Sequence, residues 1–252
     1  MEDEIEPHKV NGTWELVEPP PNRKVIGCKW VYKLKRNSEG KIVRYKARLV
    51  AQGYTQRFGL DYNESYSPVV RHTTLRVLLA VASRKGMLLK HFDVKTAYLY
   101  GSLNEEIYMR QPPGFVVAGR ENFVCRLRKS IYGLKQSARC WNQRLHKVLL
   151  DAGFQQGEAD PCLYSKMHGA KSVYVVIYVD DILVAAEDDS LIVDVHCVLK
   201  KNFEITELGD LKSFLGIEIG CDKGVYSISL QGYITCLMER YGLLDSKPVK
   251  TP

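Results

Sequence analysis

The segment Val173-Tyr174-Val175-Val176-Ile177-Tyr178-Val179-Asp180-Asp181-Ile182-Leu183-Val184-Ala185-Ala186 decides how the chain folds. Two uncharged, β-type runs flank a short acidic turn, the pattern of a β-hairpin. Adjacent carboxylates at the tip of a buried hairpin repel each other and are costly to take out of water. A divalent cation removes both costs, and Mg²⁺ is commonly held by one or two carboxylates together with substrate phosphates. Asp also occupies turns for a plainer reason, because its side chain hydrogen-bonds nearby backbone. The hairpin by itself leaves both readings open.

Working outward, residues 87–94 read as a mostly apolar strand with Asp93 near its end. Residues 137–152 carry a helical period through Trp141, Leu145, Val148 and Leu149, stopped by Gly153. Asp189 or Ser190 opens a helix through Ile192, Val195 and Leu199, and residues 213–219 read as a strand. From 87 to 219 the order is strand, helix, strand, strand, helix, strand, an α+β arrangement of the split βαβ, ferredoxin-like kind. There the first strand lies beside the central hairpin. Asp93 would then join Asp180 and Asp181, giving three carboxylates at one position of the sheet.

The remaining segments read more simply. Residues 1–13 show no periodicity and are expected to be a loose lead-in. Residues 25–35 and 41–52 read as two strands joined by the turn Asn37-Ser38-Glu39-Gly40. Thr73 or Thr74 is expected to cap a helix through Leu75, Leu78, Leu79 and Ala82, stopped by Gly86. Residues 101–120 are rich in Gly and Pro and read as a loop, and 123–127 as a short strand. Residues 225–230 read as a strand and 233–241 as a helix.

Composition narrows the class. The 252 residues are 45% apolar and 26% charged, an ordinary globular balance. No apolar stretch is long enough to span a membrane, and the acidic start Met1-Glu2-Asp3-Glu4 lacks a signal-peptide pattern. Seven scattered cysteines form no CxxC pair, which argues against a zinc site or a disulfide framework. The net charge of +7 is unevenly spread. Residues 23–57 hold eleven Lys/Arg against Glu39, and 120–147 hold eight against Glu121, whereas 180–194 hold six acids and no Lys or Arg. Basic surfaces and one acidic focus suit a polyanion and a metal. Basic runs are also the ordinary composition of a solvated face.

Three carboxylates beside basic surfaces point to phosphoryl chemistry. Two metal ions about 3.5–4 Å apart can clamp the attacking and leaving oxygens of an in-line displacement. Asp93 and Asp180 are the candidates to bridge both ions, with Asp181 assisting. The rest of such a reaction needs positioning and positive charge. Tyr98, five residues past Asp93, would exclude a ribose 2′-hydroxyl if its ring faces the sugar, or else serve as a packing aromatic.

The motifs WVYK from Trp30, YKARLVAQGYTQRFGLDYNESYSPVV from Tyr45, HFDVKTAYLYGSL from His91, YGLKQSARCW from Tyr132, YVDDILV from Tyr178 and FLGIEI from Phe214 occur in a familiar order. Together they resemble the reverse transcriptase region of copia-type long-terminal-repeat retrotransposon polyproteins, over roughly residues 14–252. The resemblance implies a right-hand polymerase with a ferredoxin-like palm (about 87–100 and 123–216). It implies β-rich fingers (about 14–86 and 101–122) and a primer grip with the start of a thumb (about 213–252). It implies RNA- and DNA-templated DNA synthesis from dNTPs on a template-primer, with two Mg²⁺ ions, or Mn²⁺.

Residue by residue, Asp93, Asp180 and Asp181 match the catalytic carboxylates, and the Val94 carbonyl matches a metal contact. Tyr98 matches the sugar-discriminating position. Lys35, Lys46 and Arg48 resemble the fingers residues that hold the triphosphate. Gly133, Lys135 and Gln136 match the loop that contacts nucleotide and template, and Phe214, Leu215 and Gly216 resemble the primer-gripping turn. The family also implies RNase H and integrase partners in the same polyprotein, and an intracellular site in a cytoplasmic virus-like particle or the nucleus. No RNase H, integrase or protease segment is expected within these residues.

Two strings depart from the family. TAYLYG stands for TAFLNG, so Tyr100 replaces a small polar residue, and YGLKQSARCW stands for YGLKQAPRAW, so Ala138 replaces a Pro. Losing that Pro is expected to loosen the nucleotide-facing loop. Three functions are compatible with these features. They are an RNA-directed DNA polymerase, a catalytically inactive nucleic-acid-binding remnant of such an element, and an RNA-templated RNA polymerase, against which Tyr98 argues.

Overall fold

The structure, a computed structural model, describes residues 1–36 and 41–247. In chain order it begins with α1 (Glu2–Val10), β1 (Trp14–Val17), β2 (Val25–Ile26), β3 (Cys28–Arg36), β4 (Ile42–Ala51), α2 (His72–Lys85) and β5 (Leu88–Val94). There follow β6 (Ser102–Arg110), β7 (Val124–Lys129), α3 (Ser137–Asp151), β8 (Gln155–Gln156), β9 (Leu163–His168), β10 (Lys171–Tyr178) and β11 (Asp181–Ala186). The last elements are α4 (Asp189–Asn202), β12 (Ile205–Asp210), β13 (Ser213–Phe214), β14 (Ile217–Asp222), β15 (Val225–Ser229) and α5 (Gln231–Arg240). The expected turn at 37–40 lies outside the described residues. The chain divides into two compact units: Met1–Val69, Val94–Phe154 and Lys201–Glu204 form one, and Val70–Asp93, Gln155–Lys200 and the chain from Ile205 onward form the other.

The second unit is built on a six-stranded sheet of order β12-β5-β11-β10-β9-β8. Its first four members, taken in chain order as β5, β10, β11 and β12, lie in the 4-1-3-2 order of the split βαβ fold. β10 and β11 are apolar because both faces are covered: Ile182, Leu183, Val184, Ala185 and Ala186 are all buried. One face packs on Leu75, Leu78, Leu79 and Ala82 of α2, at the spacing expected of a helix stripe. Phe92 of β5 stacks on His196 of α4, with ring centroids 5.5 Å apart.

Two expectations for this unit change. The edge strand beside β5 is β12, not the 213–219 segment, which breaks at Leu215 and Gly216 into a separate three-stranded sheet, β13-β14-β15. Leu215 (φ 55) and Gly216 (φ 76) are both left-handed, so the strand reverses where period-2 alternation reads straight through. Helix α2 also starts one turn before its apolar stripe, and neither Thr73 nor Thr74 caps it. Asp160 does so from 89 residues beyond the N-cap Arg71, accepting the Arg71 N–H (3.0 Å) and the Thr74 hydroxyl (2.6 Å). Burial pushes the Asp160 carboxyl up, but these bonds and the Cys162 N–H outweigh it and hold it below its ordinary value.

The first unit combines a four-stranded sheet, β1-β7-β6-β2, with the long two-stranded ribbon β3-β4. Its core gathers Ile26, Leu49, Leu99, Ile107, Met109, Cys125 and Leu127. Residues 102–110, expected to be loop, form β6: Asn104-Glu105-Glu106 hides the strand in the sequence, but Ile107, Tyr108 and Met109 pair with β7 and are buried. The start of the chain is not a loose lead-in. Helix α1 has one buried apolar residue, Ile5, too few for a visible period, and is held instead by tertiary contacts. The Glu4 carboxylate accepts the Leu49 N–H of β4 at 3.2 Å. His8, 2% exposed, lies against Trp14 with ring centroids 4.8 Å apart.

Burial pushes the His8 pKa down to about 4, and among the described residues neither ring nitrogen has a hydrogen-bond partner. A His near 6.5 in the unfolded chain then binds a proton that the folded chain refuses. Stability is fully present above pH 6.5 and is lost as pH falls from 6.5 towards 4, by an amount on the order of 3 kcal/mol. Urea unfolding of His8→Leu across this window should show a distinctly shallower fall than the native chain.

Candidate functional site

In the second unit β5 and β11 run antiparallel, and their register sets Asp93 opposite Asp181 and His91 opposite Leu183. Directly opposed residues share one face of a sheet, with Cβ atoms about 4.5–5.5 Å apart. Asp180 is the second residue of the two-residue turn between β10 and β11. All three acids are half-buried at one end of the sheet. Asp181, rather than Asp180, is the direct partner of Asp93, because the hairpin closes on a Tyr178–Asp181 pair.

The turn that presents Asp180 is strained. Val179 has φ 53, while Asp180 stays out of the left-handed region, the sign pattern of a type II′ turn whose first position ordinarily takes Gly. A β-branched residue there costs on the order of 1–3 kcal/mol, a cost that recurs at functional positions.

Asp181 has a close partner that sequence reading missed. His91 Nε2 lies 2.9 Å from Asp181 Oδ1, and the His91 ring meets Phe214 edge-on at 5.5 Å. The signal was available: residue 91 precedes Asp93 by two, so strand alternation puts both on one face. Among the described residues no three His, Cys, Asp or Glu side chains converge as a ready-made metal cluster. The donor chemistry of Asp93, Asp180 and Asp181 is nonetheless that of hard carboxylate oxygens, which suits Mg²⁺.

The first unit holds the residues expected at the nucleotide. In the β3-β4 ribbon Lys33 opposes Lys46, Lys35 opposes Arg44 and Val31 opposes Arg48. Lys35, Lys46 and Arg48 therefore share one face with Lys33 and Arg44. Burial first, and then Arg48, Lys35 and Arg44, lower the Lys46 pKa. Such a face gains from a bound anion. The Arg48 guanidinium sits 5.0 Å from the centre of the Tyr132 ring, and Tyr132 meets the Tyr98 ring edge-on at 4.8 Å. Tyr98 is thus half-buried in the turn Ala97–Tyr100, held by an aromatic neighbour. Val94 ends β5 and is buried.

The loop at 132–136 is fastened by backbone contact. Gly133 has φ 94, and a Cβ on it would lie 2.2 Å from the Ala51 carbonyl oxygen. The Ala51 N–H donates to the Tyr132 carbonyl at 2.7 Å. Gln56 accepts the Lys135 N–H (2.8 Å) and donates to Gln136 Oε1 (3.0 Å), and Gln136 donates to the Asp61 carbonyl (2.9 Å). Gln136 is 1% exposed with both ends of its amide engaged, whereas the Lys135 side chain is exposed. No local sequence signal marks Gln56 or Asp61 as partners of residues about 75–80 positions away.

Of the two departures from the family strings, Tyr100 has partners of its own within the unit. The Tyr100 hydroxyl accepts the Glu204 N–H at 2.8 Å, and its ring meets Phe203 edge-on. Beside Ala138, which stands in place of Pro, Gln136 donates to the Asp61 carbonyl and the Ser137 hydroxyl donates to the Ile131 carbonyl, so these neighbours tie the loop to the body of the unit.

Residues 11–252 match the family described as reverse transcriptase (RNA-dependent DNA polymerase). The chain belongs to this family. It is similar over its full length to retrovirus-related Pol polyproteins from the transposons RE2 (44% identity) and RE1 (42%) of Arabidopsis thaliana, covering 17% of each. It is 40% identical to that of transposon TNT 1-94 of Nicotiana tabacum, again over its full length and over 19% of the relative. The chain thus spans less than a fifth of these curated relatives. A telomerase structure from Candida albicans aligns with 96% of the chain and 54% of its own, at 13% identity and a TM-score of 0.42, too distant to bear on the site. Among the described residues no helix is long and apolar enough to cross a membrane.

The close approach at Gly133 yields a stability test. Gly133→Ala should cost about 2 kcal/mol or more, because strain at positive φ adds to a clash with backbone. Gly59→Ala, at φ 79 in open space, should cost only about 1 kcal/mol. Urea midpoints of the two variants measure the difference.

Proposed function

We propose that this reverse transcriptase domain is the polymerase module of a copia-type retrotransposon Pol polyprotein and extends a primer 3′-hydroxyl with dNTPs on an RNA or DNA template. The observation that carries this reading is the pairing of Asp93 with Asp181 beside the Asp180 turn, in a chain of this family. Asp93, Asp180, Asp181 and the Val94 carbonyl would hold two Mg²⁺ ions, for which Mn²⁺ can substitute. When bound, these ions supply the positive charge that the attacking hydroxyl and the departing pyrophosphate require.

The chain's own residues do the rest. The cationic face of β3-β4, with Lys35, Lys46 and Arg48, draws in and neutralises the triphosphate. Tyr98, backed by Tyr132, presents bulk against a ribose 2′-hydroxyl and so favours deoxynucleotides. The 133–136 loop acts through Lys135 and its backbone, with Gln136 serving to hold the loop. The turn at Phe214, Leu215 and Gly216 seats the primer. On this reading 14–86 and 101–122 are fingers, 87–100 and 123–216 palm, and 213–252 the start of a thumb. The RNase H and integrase parts of the polyprotein are its partners, and a cytoplasmic virus-like particle or the nucleus its setting.

Purified protein with a primed RNA template, dNTPs and Mg²⁺ should give extended primer. Asp180→Asn should lower the rate at least about a thousandfold, since it removes metal-borne charge stabilisation, while template-primer binding keeps its salt dependence. Salt-sensitive binding by the native chain without incorporation at any Mg²⁺ or Mn²⁺ concentration would identify a non-catalytic remnant instead. Tyr98→Ala should raise incorporation of ribonucleotides relative to deoxynucleotides in a competition assay.

A further inference from the structure

His91 occupies a position that the reading above does not use. It lies on the face of β5 that carries Asp93, and its Nε2 reaches diagonally across to Asp181 Oδ1 at 2.9 Å. Cross-strand diagonals lie within reach of a long side chain, so the bond needs no distortion of the sheet. An ionised carboxylate can only accept, so Nε2 is the donor. The His91 side chain is 13% exposed against 36% for Asp181. Water therefore competes poorly for the donor, while the carboxylate retains an oxygen for a cation. On its other side the His91 ring meets Phe214 edge-on at 5.5 Å, with an interplanar angle of 77°, and Phe214 is 2% exposed. Phe214 leads directly into Leu215 and Gly216, whose positive φ values fix a sharp reversal between β13 and β14.

We propose that His91 is a positioning residue: braced by Phe214, it sets the orientation of the Asp181 carboxylate for a divalent cation, and so links the 214–216 turn to the acidic end of the sheet. The proposal rests on the polymerase reading, in which Asp181 serves the cation and the turn serves the primer. Hydrogen bonds to carboxylate ligands fix their orientation, and their loss costs roughly 10- to 100-fold in metal affinity. Bracing by the turn would make that orientation sensitive to how the turn is occupied.

The test is Mn²⁺ binding to the full chain, followed by the electron paramagnetic resonance signal of the free ion, alongside thermal melting. Asp181→Asn is the reference for loss of the ligand. His91→Phe keeps a ring against Phe214 but has no N–H donor, and His91→Gln keeps a donor without the ring. We expect His91→Phe to bind Mn²⁺ about 10- to 100-fold more weakly at a near-native melting temperature, and His91→Gln to bind almost as the native chain does. If His91→Phe does not fold, His91→Met takes its place, with similar volume and no donor. In primer extension, raising Mg²⁺ should restore much of the rate of His91→Phe but not of Asp181→Asn.

Native affinity in His91→Phe would overturn the proposal and leave the polymerase reading intact. Equal loss in His91→Gln would overturn it too, by making the imidazole itself the ligand. Absence of Mn²⁺ binding by the native chain, with Asp181→Asn indistinguishable from it, would remove the polymerase reading and this inference together.

Discussion

The antiparallel register between β5 and β11 is the constraint on which the acidic end of the second unit depends. Side chains alternate with a period of two, so a slip by one residue would turn every side chain of β5 to the opposite face. Asp93 would no longer face Asp181, and His91 would leave its partner. The run 182–186 is apolar and buried on both faces, so what resists the slip is the mixed pattern of β5, where the charged Lys90 stands between the buried Leu89 and Phe92. Lys90 pins the same strand from its edge: it pairs with Asp210 of β12 at 2.9 Å, and a shifted β5 would have to carry that charge towards the α2 side of the sheet. The carboxylates are thus held by the pattern of burial and charge along β5 rather than by attraction for one another.

The first unit meets the opposite electrostatic problem. Its ribbon gathers like charges on one face; burial first, and then these neighbours, lower the Lys46 pKa, and the Arg48 Nε is buried without a hydrogen-bond partner among the described residues. Glu4 from α1 offsets part of this: its carboxyl is pushed up by burial, although Leu49, Lys46 and Arg48 pull it down. A surface with excess cation and one partly buried acid suits a mobile anionic ligand better than a permanent ion pair, since a permanent partner would have to leave before the ligand arrives. The Gly133–Ala51 contact and the Gln56–Gln136 pair give the neighbouring loop a stiffness that charge alone would not supply.

Much of this was legible in the sequence, for identifiable reasons. The β10-β11 hairpin, the α2 stripe and the helices at 137–151, 189–202 and 231–240 carry their period or their stop signals within one element. The elements that were not legible draw their stability from elsewhere in the chain. Helix α1 has one buried apolar side chain and is secured by the Leu49 backbone. Strand β6 has an acidic middle but a partner strand. The edge of the six-stranded sheet goes to 205–210, whose burial is slight, because the more apolar 213–219 run is needed in the core around α2.

Sequence alone determined that an acidic turn sits between two buried strands, that positive charge is concentrated in two blocks, and that the ordered motifs belong to a reverse transcriptase. These are properties of adjacent residues, and turn chemistry, periodicity and charge are all local. Only the tertiary structure decided that Asp181 faces Asp93, that Asp160 caps α2, that Gln136 is consumed by Gln56 and Asp61, and that His91 joins Asp181 to Phe214. Each of these is a hydrogen bond or ring contact between distant segments, and its partner is set by which buried surfaces meet when the core closes.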